Sequence, residues 1–115
     1  MEYKVVITSD AEEDLDRFIR YLLFVKQNPQ AATNVLNDFE KTKQSLSNIA
    51  GSLQPCENPH LNVLGYRKMH FQTHRYFMLY RIEDDLAIVD NIFHDRIFLW
   101  KAKSIHVNLR IIHVT

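Results

Sequence analysis

LGYRKMHFQ (residues 64–72), THRYFMLYRI (73–82) and EDDLAIVDNIFHDR (83–96) form the stretch whose reading decides the fold. Its three segments are rich in aromatic and β-branched residues, the composition of strands. They are separated by the polar groups Gln72-Thr73-His74 and Glu83-Asp84-Asp85, short enough to force each strand to fold back on the last. An antiparallel three-stranded meander is predicted. In the middle segment Tyr76, Met78, Tyr80 and Ile82 share one face, while Phe77 and Leu79 share the other. A strand that is apolar on both faces belongs inside its sheet, so the rest of the chain must supply neighbours and cover.

The segments upstream are suited to that task. Residues 3–8 alternate Tyr3, Val5 and Ile7 against Lys4, Val6 and Thr8, which predicts a first strand. Ser9 with Glu12 reads as a capping box, and Asp10, Glu12, Glu13 and Asp14 sit where a helix dipole favours negative charge. Leu15, Phe18, Ile19, Leu22 and Leu23 then recur at the spacing of one helical face. Asn28 followed by Pro29 opens a second helix, Asn28 as N-cap and Pro29 at the first helical position, where no amide hydrogen is needed. Its apolar stripe is Ala32, Val35, Leu36, Phe39, Leu46 and Ile49. So short a link between two helices predicts an αα-hairpin. Gly51 ends the second helix, and residues 51–62 are predicted to be a loop.

The predicted fold class is therefore α+β: a small twisted antiparallel sheet in the order strand, helix, helix, strand, strand, strand, with the helical hairpin on one face. Residues 105–114 alternate again and suggest an extra C-terminal strand. The 115 residues are the size of one domain, and no repeat or compositional break divides them, so residues 1–115 are expected to form a single domain with an atypical tail from 97 to 115.

Composition narrows the function. With 46% hydrophobic and 24% charged residues, the chain has the make-up of a soluble globular domain. No apolar run reaches the ~18 residues of a membrane span, and no charged segment introduces an apolar one at the start. A cytoplasmic protein with no membrane partner is expected. A single cysteine, Cys56, permits no internal disulfide and argues against a cysteine-based metal site. Net charge is zero, yet it is unevenly spread: 8 of the 14 acids precede Lys41, and none lies between Asn58 and Ile82. That acid-free stretch holds Arg67, Lys68, Arg75 and Arg81 with His60, His70 and His74. A half of the molecule so biased attracts phosphate, while the neutral total argues against indiscriminate nucleic-acid binding.

Glycine-rich phosphate loops, nucleophile elbows and helical histidine pairs are missing from the sequence, so no cofactor and no metal are expected. The end of the last predicted strand carries more chemistry. His94-Asp95-Arg96 sets a proton carrier beside a permanent cation. Cleaving RNA through its own 2′-hydroxyl requires a base, an acid for the leaving oxygen and cations on the phosphorane. His94 can move protons, and Arg96, Arg67, Lys68, Arg75 and Arg81 can hold charge. The competing reading is a solvated strand end whose charges keep the sheet soluble. Arg67 alternates with Met69 and Phe71, which points to a partly buried guanidinium paired with a carboxylate such as Asp90. Tyr66, Tyr76 and Tyr80 can stack on bases or fill the core.

Taken together, the element order, Gly65-Tyr66-Arg67 at the head of the meander, residues 74–82 (HRYFMLYRI) with the acidic turn after them, and Ile92-Phe93-His94-Asp95-Arg96 resemble the RelE/ParE superfamily of type II toxin–antitoxin toxins, above all its ParE-like and plasmid-stabilisation members. The resemblance covers residues 3–96. It implies a growth-inhibiting toxin held in check by a cognate antitoxin. RelE-like members cleave mRNA on the ribosome, and on that pattern His94, Arg96 and Arg67 are the expected catalytic residues of an RNA endonuclease, with Lys68, Arg75, Arg81 and Tyr76 binding substrate. ParE-like members inhibit DNA gyrase without catalysis. The sequence reading favours ribosome-dependent mRNA cleavage, with gyrase inhibition or a non-toxic antitoxin-binding module as alternatives.

Overall fold

In the computed structural model, residues 2–95 are described. The extra strand expected over residues 105–114, the tail from 97 and Arg96 itself lie outside them. Four strands form one sheet in the order β1-β4-β3-β2, with β1 at Lys4–Ile7, β2 at Arg67–His70, β3 at Tyr76–Glu83 and β4 at Leu86–His94. The meander is antiparallel as expected, and its second connection is the two-residue turn Asp84-Asp85, with Asp84 at φ 54°. β1 adds beside β4 in parallel, Lys4 opposite Leu86 and Ile7 opposite Val89. The two central strands are β3 and β4.

Both predicted helices form. Helix α1 spans Ser9–Arg20 and continues as a π-helical turn over Tyr21–Val25, and α2 spans Pro29–Ile49. Thr8, not Ser9, caps α1: its backbone is extended and its hydroxyl accepts from the Ala11 amide at 3.2 Å. The cap falls one residue early because Thr8 is also tied to the sheet. Its amide donates to the Val89 carbonyl and its hydroxyl to that of Asp90. Asn28 caps α2 through the Ala31 amide at 3.0 Å, with Pro29 first in the helix.

The predicted loop over residues 51–62 is only partly a loop. A short helix, α3, spans Pro59–Val63, with Asn58 accepting from the His60 and Leu61 amides. The Asn-Pro signature that opens α2 is repeated here one-for-one and has the same effect. Gly65 then turns the chain into β2 at φ 82°, a conformation that side chains resist.

Two apolar clusters flank the sheet. The helical hairpin covers one face, where Ala11, Val35, Phe39 and Leu46 meet Met78, Tyr80, Val89 and Ile92. On the other face Phe77, Leu79 and Phe93 pack with Cys56, Leu61 and Tyr66 from α3 and its flanks. The parity read from β3 is thus kept residue for residue. Among the described residues no helix is long and apolar enough to cross a membrane.

Leu79 is fully buried and Val63 is 85% exposed. Chemical denaturation of Leu79→Ala is expected to show a loss of about 2–5 kcal/mol, the cost of a core cavity. Val63→Ala should stay within about 0.5 kcal/mol of the parent.

Candidate functional site

The cations of the meander do not share one fate. Arg67 turns toward the helical face, where its Nη1 donates to the carbonyls of Gly51 and Leu53 at 2.9 Å and of Ala50 at 3.4 Å. These carbonyls follow the C-terminus of α2, where a positive charge is favoured. The Tyr80 hydroxyl donates to the same Ala50 carbonyl at 2.6 Å, and burial pushes its pKa up to about 12. Asp90 is not the partner of Arg67. It lies in the bulge of β4 between Val89 and Asn91, 1% exposed, and accepts from Tyr66 Oη at 2.7 Å and Arg81 Nε at 2.8 Å. Arg81 also reaches Glu83 at 3.0 Å. Burial alone would lower the pKa of Arg81, but Asp90 and Glu83 outweigh it and raise it.

His94 and Arg67 stand apart. In register, Arg67 lies opposite Tyr80 and His94 opposite Tyr76. Four residues of β3 separate those positions, roughly 13 Å at the rise of a strand. His94 meets the Tyr76 ring edge-on at 5.2 Å, and Tyr76 also packs on Phe18 and Phe71. Burial, with Tyr21 nearby, raises the pKa of that phenol. Arg75 is exposed just ahead of β3.

On the opposite face a different set comes together. Lys68 Nζ sits 5.0 Å from the centre of the Phe77 ring, and the His70 ring lies 5.6 Å from it. His70 Nδ1 is 3.6 Å from Asp95 Oδ1. Beside them a cleft runs along Leu53, Pro55, Cys56 and Glu57. The Cys56 thiol is buried, which raises its pKa against the opposing pull of Lys68. A proton carrier, a carboxylate and an ammonium group are thus placed together, and sequence reasoning did not select His70 or Asp95. The alternation of Lys68 and His70 against Met69 and Phe71 is the signal that marks the pair as one face. Among the described residues no three histidine, cysteine or acidic side chains are grouped to hold a metal ion.

Two further carboxylates are buried; from the sequence Asp14 reads only as an acid of the first helical turn and Asp38 only as one of the acids before Lys41. Asp14, 2% exposed, accepts from the Asn91 side chain and the Ile92 amide, both at 3.0 Å, and pairs with Arg17. It joins α1 to β4. Asp38, 4% exposed, accepts from the Gln72 and Thr73 amides and the Thr73 hydroxyl at 3.0 Å, and contacts His74 Nδ1 at 2.7 Å. It joins α2 to the turn between β2 and β3.

Residues 5–97 match the family model described as the ParE toxin of the type II toxin–antitoxin system parDE. The chain belongs to that family. Solved structures with the same fold include the chromosomal ParDE system of P. aeruginosa, at 20% identity and TM-score 0.64 over 81% of this chain and 96% of that one. The RelBE2 complex of Mycobacterium tuberculosis aligns at 21% identity and TM-score 0.53, covering 82% of this chain and 99% of that one. The DinJ-YafQ complex of E. coli aligns at 14% identity and TM-score 0.53, covering 84% and 97%. Among curated proteins compared by sequence, nothing matches. ParE family membership and the α+β fold expected from the meander therefore agree.

Burial tends to raise the pKa of Asp38, but the hydrogen bonds from His74, Thr73 and Gln72 outweigh it and hold the carboxyl below its ordinary value. A lowered folded pKa means that the charged form stabilises the fold above the unfolded value, near pH ~4, and that this is lost as pH falls through the folded value. Asp38→Asn should cost about 1–3 kcal/mol at neutral pH. In urea titrations the gap between variant and parent is expected to narrow below about pH 4.

Proposed function

We propose that this ParE-family toxin is neutralised by an antitoxin and arrests growth by binding DNA gyrase rather than by cutting RNA. The observation that carries the mechanism is the use of Arg67 and Arg81 inside the fold. Arg67 satisfies carbonyls after α2, and Arg81 neutralises a buried carboxylate. Withdrawing Arg81 to a phosphorane would leave the buried Asp90 carboxylate without its counter-charge, at about 1–3 kcal/mol or more, and withdrawing Arg67 would give up its bonds to the Gly51 and Leu53 carbonyls. The offset of roughly 13 Å along the strands between the register positions of Arg67 and His94, on opposite sides of β3, adds support, since a proton carrier and its charge-stabilising partner must act within a few ångströms of the same phosphate. Structural likeness to toxin–antitoxin complexes supports an antitoxin partner.

One observation favours the other reading, cleavage of mRNA on the ribosome. Lys68, His70 and Asp95 share the less covered face of the sheet, and Arg96 follows directly in sequence. There His70 would carry protons and Lys68 would hold charge, with Asp95 fixing the imidazole.

Induction of the chain without antitoxin, followed by primer extension of cellular transcripts and a supercoiling assay on purified gyrase, separates the two. Blocked supercoiling with uncut transcripts, unchanged in His94→Ala and His70→Ala, is the expected result. Discrete transcript cuts that vanish in His70→Ala would transfer the protein to the RNA-cleaving class.

A further inference from the structure

A second polar pocket lies between α2 and the turn from β2 to β3, away from the Lys68–His70 face. It is lined by Asn34, Asn37, Asp38, Lys41, Thr73 and His74, among others. Asp38 and Thr73 fix how the imidazole is presented. An ionised carboxylate only accepts, so the contact of Asp38 Oδ2 with His74 Nδ1 at 2.7 Å places the proton on Nδ1. The Thr73 hydroxyl donates to Asp38 and is therefore free to accept from the same Nδ1, 3.0 Å away. Nε2 is left. Among the described residues it makes no hydrogen bond, and it is not a buried orphan.

The rest of the pocket supplies donors and one positive charge. Lys41 and Asn37 have no hydrogen-bond or ion-pair partner among the described residues. Asn34 accepts from Gln30 through its carbonyl oxygen at 2.9 Å, which leaves its amide hydrogens available. The single carboxylate, Asp38, has its oxygens engaged by four donors and is 4% exposed. A divalent cation is a poor fit, because the Lys41 ammonium repels it and no second imidazole or thiolate is at hand. An oxyanion with several acceptor oxygens suits the set.

We propose that this pocket binds a phosphate group, with Lys41 as counter-charge, the side-chain amides of Asn34 and Asn37 as donors, and His74 Nε2 as a further donor when the ring carries both protons. A free phosphate ester and the backbone of a nucleic-acid strand present the same oxygens. The site stands independently of the toxin's target, since neither the gyrase reading nor the RNA reading uses these residues.

Isotope-labelled full-length chain would be titrated with inorganic phosphate, with adenosine monophosphate and with a short single-stranded RNA lacking terminal phosphates, followed by NMR. Saturable shifts of the Asn34, Asn37, Lys41 and His74 signals are expected. Lys41→Ala, on an exposed side chain, should keep a dispersed spectrum and weaken binding at least about fivefold, as loss of one charge-assisted hydrogen bond implies. Lys26→Ala should leave it unchanged. Saturation by the small phosphates identifies a free ester as the ligand, whereas saturation by the RNA alone identifies a strand backbone; either supports the site. Absence of saturable shifts with all three at tens of millimolar, or shifts that persist unweakened in Lys41→Ala, would overturn it.

Discussion

Strands β3 and β4 are apolar on both faces, and an apolar ribbon of that kind cannot be left against water on either side. At roughly 25 cal/mol per Å² of buried apolar surface, the incentive to cover it exceeds any local preference of the connecting segments. The helical hairpin answers one face through Val35, Phe39 and Leu46. The other is answered more thinly, by Leu61 of the five-residue α3 together with Cys56 and Tyr66 beside it. This inequality leaves His70, at the edge of the second face, exposed.

Cover must also be held in register, and polar staples do that. Asp14 ties α1 to β4, Asp38 ties α2 to the β2–β3 turn, and Asp90 ties β4 to Arg81 and to Tyr66 ahead of β2. Arg67 fastens β2 to the end of α2. Each is a buried or half-buried charge whose partners are main-chain groups or a counter-charge. Such groups cost little while paired and much when one partner is removed. They add less to stability than the apolar faces do, but they fix which residue meets which.

That role has a consequence for function. A cation committed to the frame is not available for a substrate, so a count of arginines on the meander overstates its capacity for phosphate chemistry. The Lys68–His70 face and the pocket beside His74 lie in different parts of the molecule.

The sequence by itself determined the element order, the meander, the two-faced character of β3 and the Asn28-Pro29 start of α2, because each rests on periodicity or on the chemistry of adjacent residues. It also contained signals that went unused. Asp14 lies at the i+3 position of the stripe Ala11, Asp14, Leu15, Phe18, Asp38 at that of Val35, Asp38, Phe39, Thr42, and Asp90 inside an apolar run; an acid in such a place must be buried and paired. The second Asn-Pro pair, Asn58-Pro59, announced α3 in the same way. What only the tertiary structure decided is long-range: that β1 enters parallel to β4, that Asp90 takes Arg81 and leaves Arg67 to carbonyls after α2, and that Asp95 is brought to His70. These depend on which strand lies beside which and on a bulge at Asp90 that shifts the β3–β4 register. Local propensity carries no information about pairings between residues dozens of positions apart, because they are chosen by the packing of the whole sheet.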